Sequence, residues 1–417
     1  MVGVAILTFA SSTYQYAGSS SIFSWILAGV FSIFMALIYA EMVTAFPSSG
    51  AIVTFPYEAF GKNRISRYLA FLEGTGYYIG TLFGIVISAI ILGSYISPVF
   101  ATGTFGSFVI AEVSLIFAGV INLLGAKITS RVNLLMSLVF MVIFALVIIL
   151  GFHNGSIMNM VPFFGGSSGI SGILYAVPIA ILAYGSWTAV ITVPEETKDM
   201  KSMPKAIIYS LLVVTVLYSL LVMATYMNLN QKQLENTFYY YPVLGLVTLL
   251  GNHFLLLAFQ FAALLAIVAV MIVMIMSNAR ILMALGKLKF VPKNVGVLNN
   301  KSIPVYATLL SLFIPMVLSA LPSYYYQYVI IGAIIGTGLP RVIDIASYIK
   351  LRRSQGYSPR YRVKYGMLVA LIAFFGLAIS ELSLGINDLE WSLVALAVMT
   401  LVFLIIEKYH KKSTSTI

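Results

Sequence analysis

The chain has 417 residues, 60% hydrophobic and 9% charged, with a net charge of +11 and no cysteine. A water-soluble protein of this length needs far more polar surface, so a soluble fold is excluded; without cysteine there is no disulfide framework, thiolate metal site or thiol redox centre. The positive charge does not point to nucleic acid, because it sits in short gaps beside long apolar runs.

In chain order, the first 17 residues open with VGVAILTFA. At about 1.5 Å rise per residue this stretch is short for a membrane span, which takes about 20 residues. No Lys or Arg precedes it, so it lacks the charged start of a secretory signal. It predicts half a helix. Eleven full spans follow, at roughly 22–46, 67–97, 106–124, 130–151, 171–193, 204–227, 253–284, 303–321, 325–349, 365–384 and 389–407. Segment 241–252, YPVLGLVTLLGN, predicts a short helix on the outer face. The longest stretches outside the spans, about 152–170, 228–252 and 285–302, leave no room for soluble enzymatic chemistry.

Charge sets the threading. Of 24 Lys and Arg residues, 22 lie in or beside alternate gaps; Lys232 and Arg341 are the exceptions. Lys62 and Arg64, Lys127 and Arg131, Lys198 to Lys205, Lys287 to Lys301, Lys350 to Lys364 and the tail Lys408 to Lys412 fall on one side of a single path. Basic residues resist translocation, so that side and the C-terminus are expected to be cytoplasmic. The opposite side carries His153, Asn154, Tyr239–Tyr241, Tyr324–Tyr326 and Tyr328. These tyrosines fit an interfacial aromatic belt or ordinary loop positions.

Two runs look broken. One is Gly3-Val4-Ala5-Ile6-Leu7, followed by a second half at Thr8–Ala17; the other is Ala183-Tyr184-Gly185-Ser186-Trp187, followed by Thr188–Val193. Broken backbone at membrane depth survives only where it is buried or lines a cavity. The breaks open the first and sixth spans, with five spans in each half, the pattern of a five-plus-five repeat whose site lies at discontinuous helices. Glycine that merely permits close helix packing is the other reading. Gly76, Gly80 and Gly84, and Gly332 with Gly336, read as such packing stripes.

Residues 16–61, YAGSSSIFSWILAGVFSIFMALIYAEMVTAFPSSGAIVTFPYEAFG, resemble the start of amino acid–polyamine–organocation permeases. Ala17-Gly18, Trp25, Ala28-Gly29, Tyr39-Ala40-Glu41, Pro47, Gly50 and Phe60-Gly61 match the family pattern in order. Three further stretches match in the right order and topology: NLLGAKITSRVN (122–133), AYGSWTAVITVPEETKDMKSMPKAI (183–207, with Glu195-Glu196, Lys198, Pro204 and Lys205) and SNARILMALGKLKFVPK (277–293).

The resemblance implies an all-α integral membrane protein of the LeuT type. It implies a 5+5 inverted repeat and about 12 transmembrane segments, the first truncated: a first repeat at about 1–151, a second at about 171–350 and two extra helices at about 365–407. It implies secondary active transport of amino acids or related amines across the plasma membrane by alternating access, driven by an ion or substrate gradient, with H+ and Na+ as candidate ions left open and no cofactor. By position, the backbone N–H groups of Gly3, Val4, Ala5, Ile6 and Leu7 are expected to hold the substrate carboxylate. Ala183, Tyr184 and Gly185 are expected to offer carbonyls to its amino group, and Ser186 and Trp187 to face or gate its side chain. Relatives carry a half-helix before the first break, whereas this sequence begins at it. That implies a start upstream of Met1, or a gate without this half, in which case a non-transporting sensor or an inactive remnant with the same fold is the alternative. A lysine that some relatives carry in the fifth span has no counterpart near Phe140.

Charge at membrane depth is costly and usually has a partner or a task. Arg341 and Asp344 lie three apart on one helical face, which predicts an ion pair, with gating or coupling as the alternative. Glu73 shares a face with Tyr77 and reads as an interfacial carboxylate or as a contact for a substrate amine, and both residues join Arg341 and Asp344 as candidates for coupling or gating; Glu73 and Glu112 admit a cationic amino acid or polyamine. Glu41 ends its span and reads as the anchor of the loop that follows. His153, His253 and His410 have no metal spacing, and no phosphate-binding loop occurs, so neither a metalloenzyme nor direct use of ATP is expected.

Overall fold

A computed structural model describes residues 5–100, 103–196, 199–321, 332, 334–382 and 386–414. Among them all regular structure is helical. The helices are α1 (Ala5–Thr8), α2 (Ala10–Ala17), α3 (Ser21–Ala45), α4 (Ala51–Phe60), α5 (Arg64–Phe100), α6 (Gly103–Leu123), α7 (Ala126–Asn154), α8 (Gly172–Leu182) and α9 (Thr188–Thr192). They continue as α10 (Met203–Asn228), α11 (Pro242–Leu249), α12 (His253–Lys287), α13 (Val305–Ser319), α14 (Leu339–Arg352), α15 (Gly366–Leu382) and α16 (Ile386–Thr414). Seven described helical stretches are long and apolar enough to cross a membrane, and α13 and α15 are shorter apolar helices. The short helix expected at 241–252 is α11.

The helices start and stop for local reasons. Gly18, at φ 64°, turns the chain between α2 and α3, where a Cβ would meet the backbone of Gly165 and Gly166. Pro204 and Pro242 stand in the first turns of α10 and α11, where a missing N–H costs nothing. Asn252 caps α12 by accepting from the Leu255 N–H at 3.0 Å.

Many large side chains point outward, among them Val142, 70% exposed, and Phe313, 64% exposed. In water these faces would be costly; in lipid they cost nothing.

Two groups of helices pack internally. One holds α2, α3, α8 and α10, with α3 against α8 and α10, and α2 against α8. The other holds α5, α6, α12 and α13, with α12 against α5, α6 and α13. Helix α7 touches α10 and α12, one from each group.

Three expectations change. The sequence predicts the first break across Gly3–Leu7. Gly3 and Val4 lie outside the described residues, while Ala5, Ile6 and Leu7 form a helical turn, and the irregularity falls at Phe9, between α1 and α2. The ladder is only interrupted there, since the Phe9 N–H still donates to Ala5 O at 2.8 Å. The span expected at 325–349 is described from Ile334, where a wide π-helical turn, Ile334–Gly338, leads into α14; Tyr324–Tyr326 and Tyr328 lie outside the described residues. Glu41 is an anchor, but of the segment after α14 rather than of the loop that follows it. It accepts from Arg352, from Tyr348 Oη at 3.0 Å and from the Val363 N–H at 2.7 Å.

Candidate functional site

Helix α8 stops at Leu182 in the middle of an apolar run. Ala183 and Tyr184 turn back on their own helix, with N–H donors bonded to Ala180 O and Ile181 O at 3.0 Å each. A 3-10 turn at Gly185–Trp187 then leads into α9. The break is held by its aromatic side chains. Tyr184 donates to Trp25 O at 2.9 Å and packs edge-on against Tyr218. Trp187 packs edge-on against Tyr39. Opposite, Tyr226 donates to Ala10 O at 2.7 Å and pins the start of α2.

A cavity of about 170 Å³ opens at this break. An apolar cavity of about 150 Å³ takes benzene, so this one has room for a small organic molecule. Its floor is the break itself, Ala183, Gly185 and Ser186, with Ala5 and Phe9 from the first segment. The facing wall is a stripe of α5, Tyr77-Thr81-Gly84-Ser88-Ile91, spaced by four, three, four and three. Helix α12 adds Val270, Met274 and Ser277, and Arg341 stands at the edge. The cavity thus lies on the seam between the two helix groups. Most of its lining is apolar, with a few hydroxyls and one guanidinium, the composition of a small-molecule site.

Of the residues expected at a site, Ala5, Ala183, Gly185, Ser186, Tyr77 and Arg341 come together around this cavity. Ile6, Leu7 and Tyr184 are buried in the surrounding packing, and Trp187 sits beside the break facing Tyr39. Glu73 and Asp344 lie behind Tyr77, outside the cavity lining. The sequence reading missed Phe9, Thr81, Ser88 and Ser277. The α5 stripe carried a usable signal, since Thr81 and Ser88 interrupt an apolar helix at helical spacing on the Tyr77 face.

The predicted Arg341–Asp344 ion pair does not form. Asp344 Oδ2 accepts from Tyr39 and Tyr77 instead, and Arg341 Nε has no partner. Helical spacing put the two residues on one face but could not reveal two phenols from other helices competing for the carboxylate. Glu73 is not interfacial either: it has no exposed surface.

Next to Ala189 and Ser277 of the cavity lining, three bonds tie α9 and the residues after it to their neighbours. The Gly50 N–H donates to Thr192 O at 2.9 Å, Ser49 Oγ donates to Glu195 Oε2 at 2.6 Å, and Thr192 Oγ1 reaches Ser277 Oγ at 3.2 Å. The Ser49 hydroxyl holds the Glu195 carboxyl below the usual range, with smaller help from Lys287 and Arg280. Among the described residues no three His, Cys, Asp or Glu converge as a metal site.

A family model for amino acid permeases matches residues 1–406. The branched-chain amino acid permease BcaP of Lactococcus lactis is 26% identical over an alignment covering 92% of this chain and 87% of that protein. Its namesake from Bacillus subtilis is 26% identical over 72% of this chain and 67% of its own length. The serine/threonine exchanger SteT of Bacillus subtilis is 27% identical over 52% of this chain and 49% of its own. A broken, cavity-lining helix in an all-α apolar chain and a match across nearly the whole sequence agree: the chain is a multi-pass membrane protein of the amino acid permease family.

Proposed function

We propose that this permease is a secondary active transporter of neutral aliphatic amino acids in the plasma membrane, with its C-terminus cytoplasmic. The observation that carries the reading is the cavity at the Ala183–Gly185 break, on the seam between the two helix groups. The free end of α8 presents carbonyls, a negative dipole end suited to an ammonium group. The carboxylate is assigned to the backbone N–H groups at the start of the first segment, where Ala5 lines the cavity, with the Arg341 guanidinium as the cation in the cavity wall. Ile87, Ile91, Ile181, Val270 and Met274 leave an apolar compartment for the side chain. Apolar lining disfavours a second charge on the substrate, which speaks against cationic amino acids and polyamines. Two relatives named for branched-chain amino acids fit the same direction.

Alternating access follows from the seam. The two repeats, at about 1–151 and 171–350, contribute one broken segment each, and rocking one helix group against the other exposes the cavity to each side in turn. Ligand can drive this only by binding the two states unequally.

The test is uptake by purified full-length protein in liposomes, preceded by a thermal-stabilisation screen over amino acids and amines. Stabilisation and saturable uptake of L-leucine, L-isoleucine or L-valine are expected. Stabilisation by lysine or putrescine alone would reverse the substrate assignment, and absence of both uptake and exchange would leave a sensor as the better reading.

A further inference from the structure

Glu73 on α5 and Asp344 on α14 are two carboxyl groups buried against each other. Neither has exposed surface, and Tyr77, one helical turn from Glu73 on the same face of α5, donates to Asp344 Oδ2, so each carboxyl feels the charge of the other. Asp344 Oδ2 is served twice, by short contact from Tyr39 Oη and by Tyr77 Oη at 3.2 Å. Asp344 Oδ1 and both Glu73 oxygens have no donor at all. The charged and titratable groups facing the pair are few. Tyr39 comes from α3, Tyr77 from α5 and Arg341 from α14 itself, and Glu381 of α15 acts on Arg341.

A buried carboxylate without a donor carries the full cost of its desolvation, and two carboxylates in contact at low dielectric cannot both be ionised. One proton resolves both problems. A Glu73 Oε–H donating to Asp344 Oδ1 pairs two of the three orphan oxygens and leaves one negative charge near Arg341.

We propose that Glu73 and Asp344 form a proton-binding site, and that the proton held there moves with the substrate. The second half rests on the transport reading above. The chemistry is one O–H bond formed and broken at a carboxyl oxygen, with water as the proton's source and sink. Tyr77 connects the site to the cargo, because its hydroxyl donates to Asp344 while the residue lines the cavity beside Arg341. The same two stretches of chain are in tight contact one turn away, where a Cβ on Gly76 would meet Pro340 Cγ at 2.7 Å. Loss of the proton would leave two negative charges across that contact, so it requires α5 and α14 to move apart. Protonation and substrate therefore bias one seam.

Two measurements test this. Infrared difference spectra of the purified full chain between pH 5 and pH 9 read protonated carboxyl groups directly. Wild type is expected to show a protonated carboxyl band at pH 7 that Glu73→Gln lacks; identical bands in both would overturn the shared proton. Liposomes loaded with a pH-sensitive dye then read coupling. An inward L-leucine gradient in sodium-free buffer is expected to acidify the lumen in wild type and to leave Glu73→Gln at the level of protein-free vesicles. L-leucine counterflow, which needs no net proton movement, continues in the variant. Sodium-dependent uptake at constant internal pH, or full acidification by Glu73→Gln, would overturn the coupling. Should wild type show no counterflow, the transport reading fails while the infrared band still decides the proton site.

Discussion

Gly80 and Gly336 meet backbone to backbone: a Cβ built on either one would lie 2.3 Å from the Cα of the other. The contact joins α5 to the π-helical turn before α14, and both glycines line the cavity. Two distant parts of the chain are thus as close as polypeptides can come, beside the proposed substrate. Small residues make such approaches in membranes, where helices gain little from hiding apolar surface.

Gly80→Ala forces one backbone away from the other, and no flexible side chain is present to give way. Overpacking of this kind costs about 1–3 kcal/mol. The expected outcome is a lower melting temperature and loss of uptake. Gly84→Ala is the comparison, because its Cβ meets the flexible Met274 Sδ at 3.2 Å. It should keep most uptake. Equal effects in the two variants, measured by thermal unfolding in detergent and by liposome uptake, would remove the special status of the Gly80–Gly336 contact.

At Gly185 the opposite holds. A Cβ there meets nothing within 4 Å, because it points into open cavity. Gly185→Val should fold normally and shrink the compartment by about two to three carbon atoms. One methylene in an apolar pocket is worth about 1–3 kcal/mol of discrimination. KM for leucine is therefore expected to rise at least about tenfold, with alanine or serine affected less. A uniform loss across all substrates would mean that the backbone of the break, and not the space above it, had been disturbed.

The broken sixth span was legible from the sequence, because Tyr184-Gly185-Ser186 places glycine and a hydroxyl in the middle of an apolar run. The α5 glycine stripe was legible for the same reason, as small residues at helical spacing. Pairing across the bundle was not. Spacing along one helix put Arg341 beside Asp344, yet the partners of Asp344 came from Tyr39, 305 positions away, and Tyr77, 267 positions away. Glu41 fared likewise, reaching Val363 across 322 positions instead of its own loop. Periodicity reports which face a residue occupies, and only packing reports what that face meets.

The Glu41 cluster makes its own prediction. Glu41 has no exposed side-chain surface and binds Arg352 with both oxygens, at 2.9 and 2.6 Å. Breaking a buried pair by removing one partner costs about 3–5 kcal/mol, whereas replacing both with apolar groups is often neutral. Glu41→Leu is expected to lower thermal stability strongly, and Glu41→Leu with Arg352→Met to recover part of the loss. A double variant no more stable than the single one would show that Tyr348 and the Val363 N–H, not the ion pair, hold this corner together.

The Ser49–Glu195 bond, close to the cavity-lining residues of α9, makes a prediction about access. The chain has no native cysteine, so Ser186→Cys alone supplies a clean reporter within the cavity lining. Adding Ser49→Ala removes the hydroxyl that holds Glu195. Labelling of the introduced thiol by a membrane-impermeant reagent, applied from the side bearing Lys201, is expected to speed up several-fold. The pH dependence has a definite sign. The Glu195 carboxyl is held below its ordinary value, chiefly by Ser49. The stabilisation is therefore complete above the ordinary carboxylate value of about 4.3 and is lost as pH falls through the lowered one. Between pH 6 and 8 the labelling ratio of the two proteins should stay constant. A ratio of one throughout that window would mean that the cavity is closed by the Gly50–Thr192 backbone bond and the packing of α9, with the carboxylate a bystander.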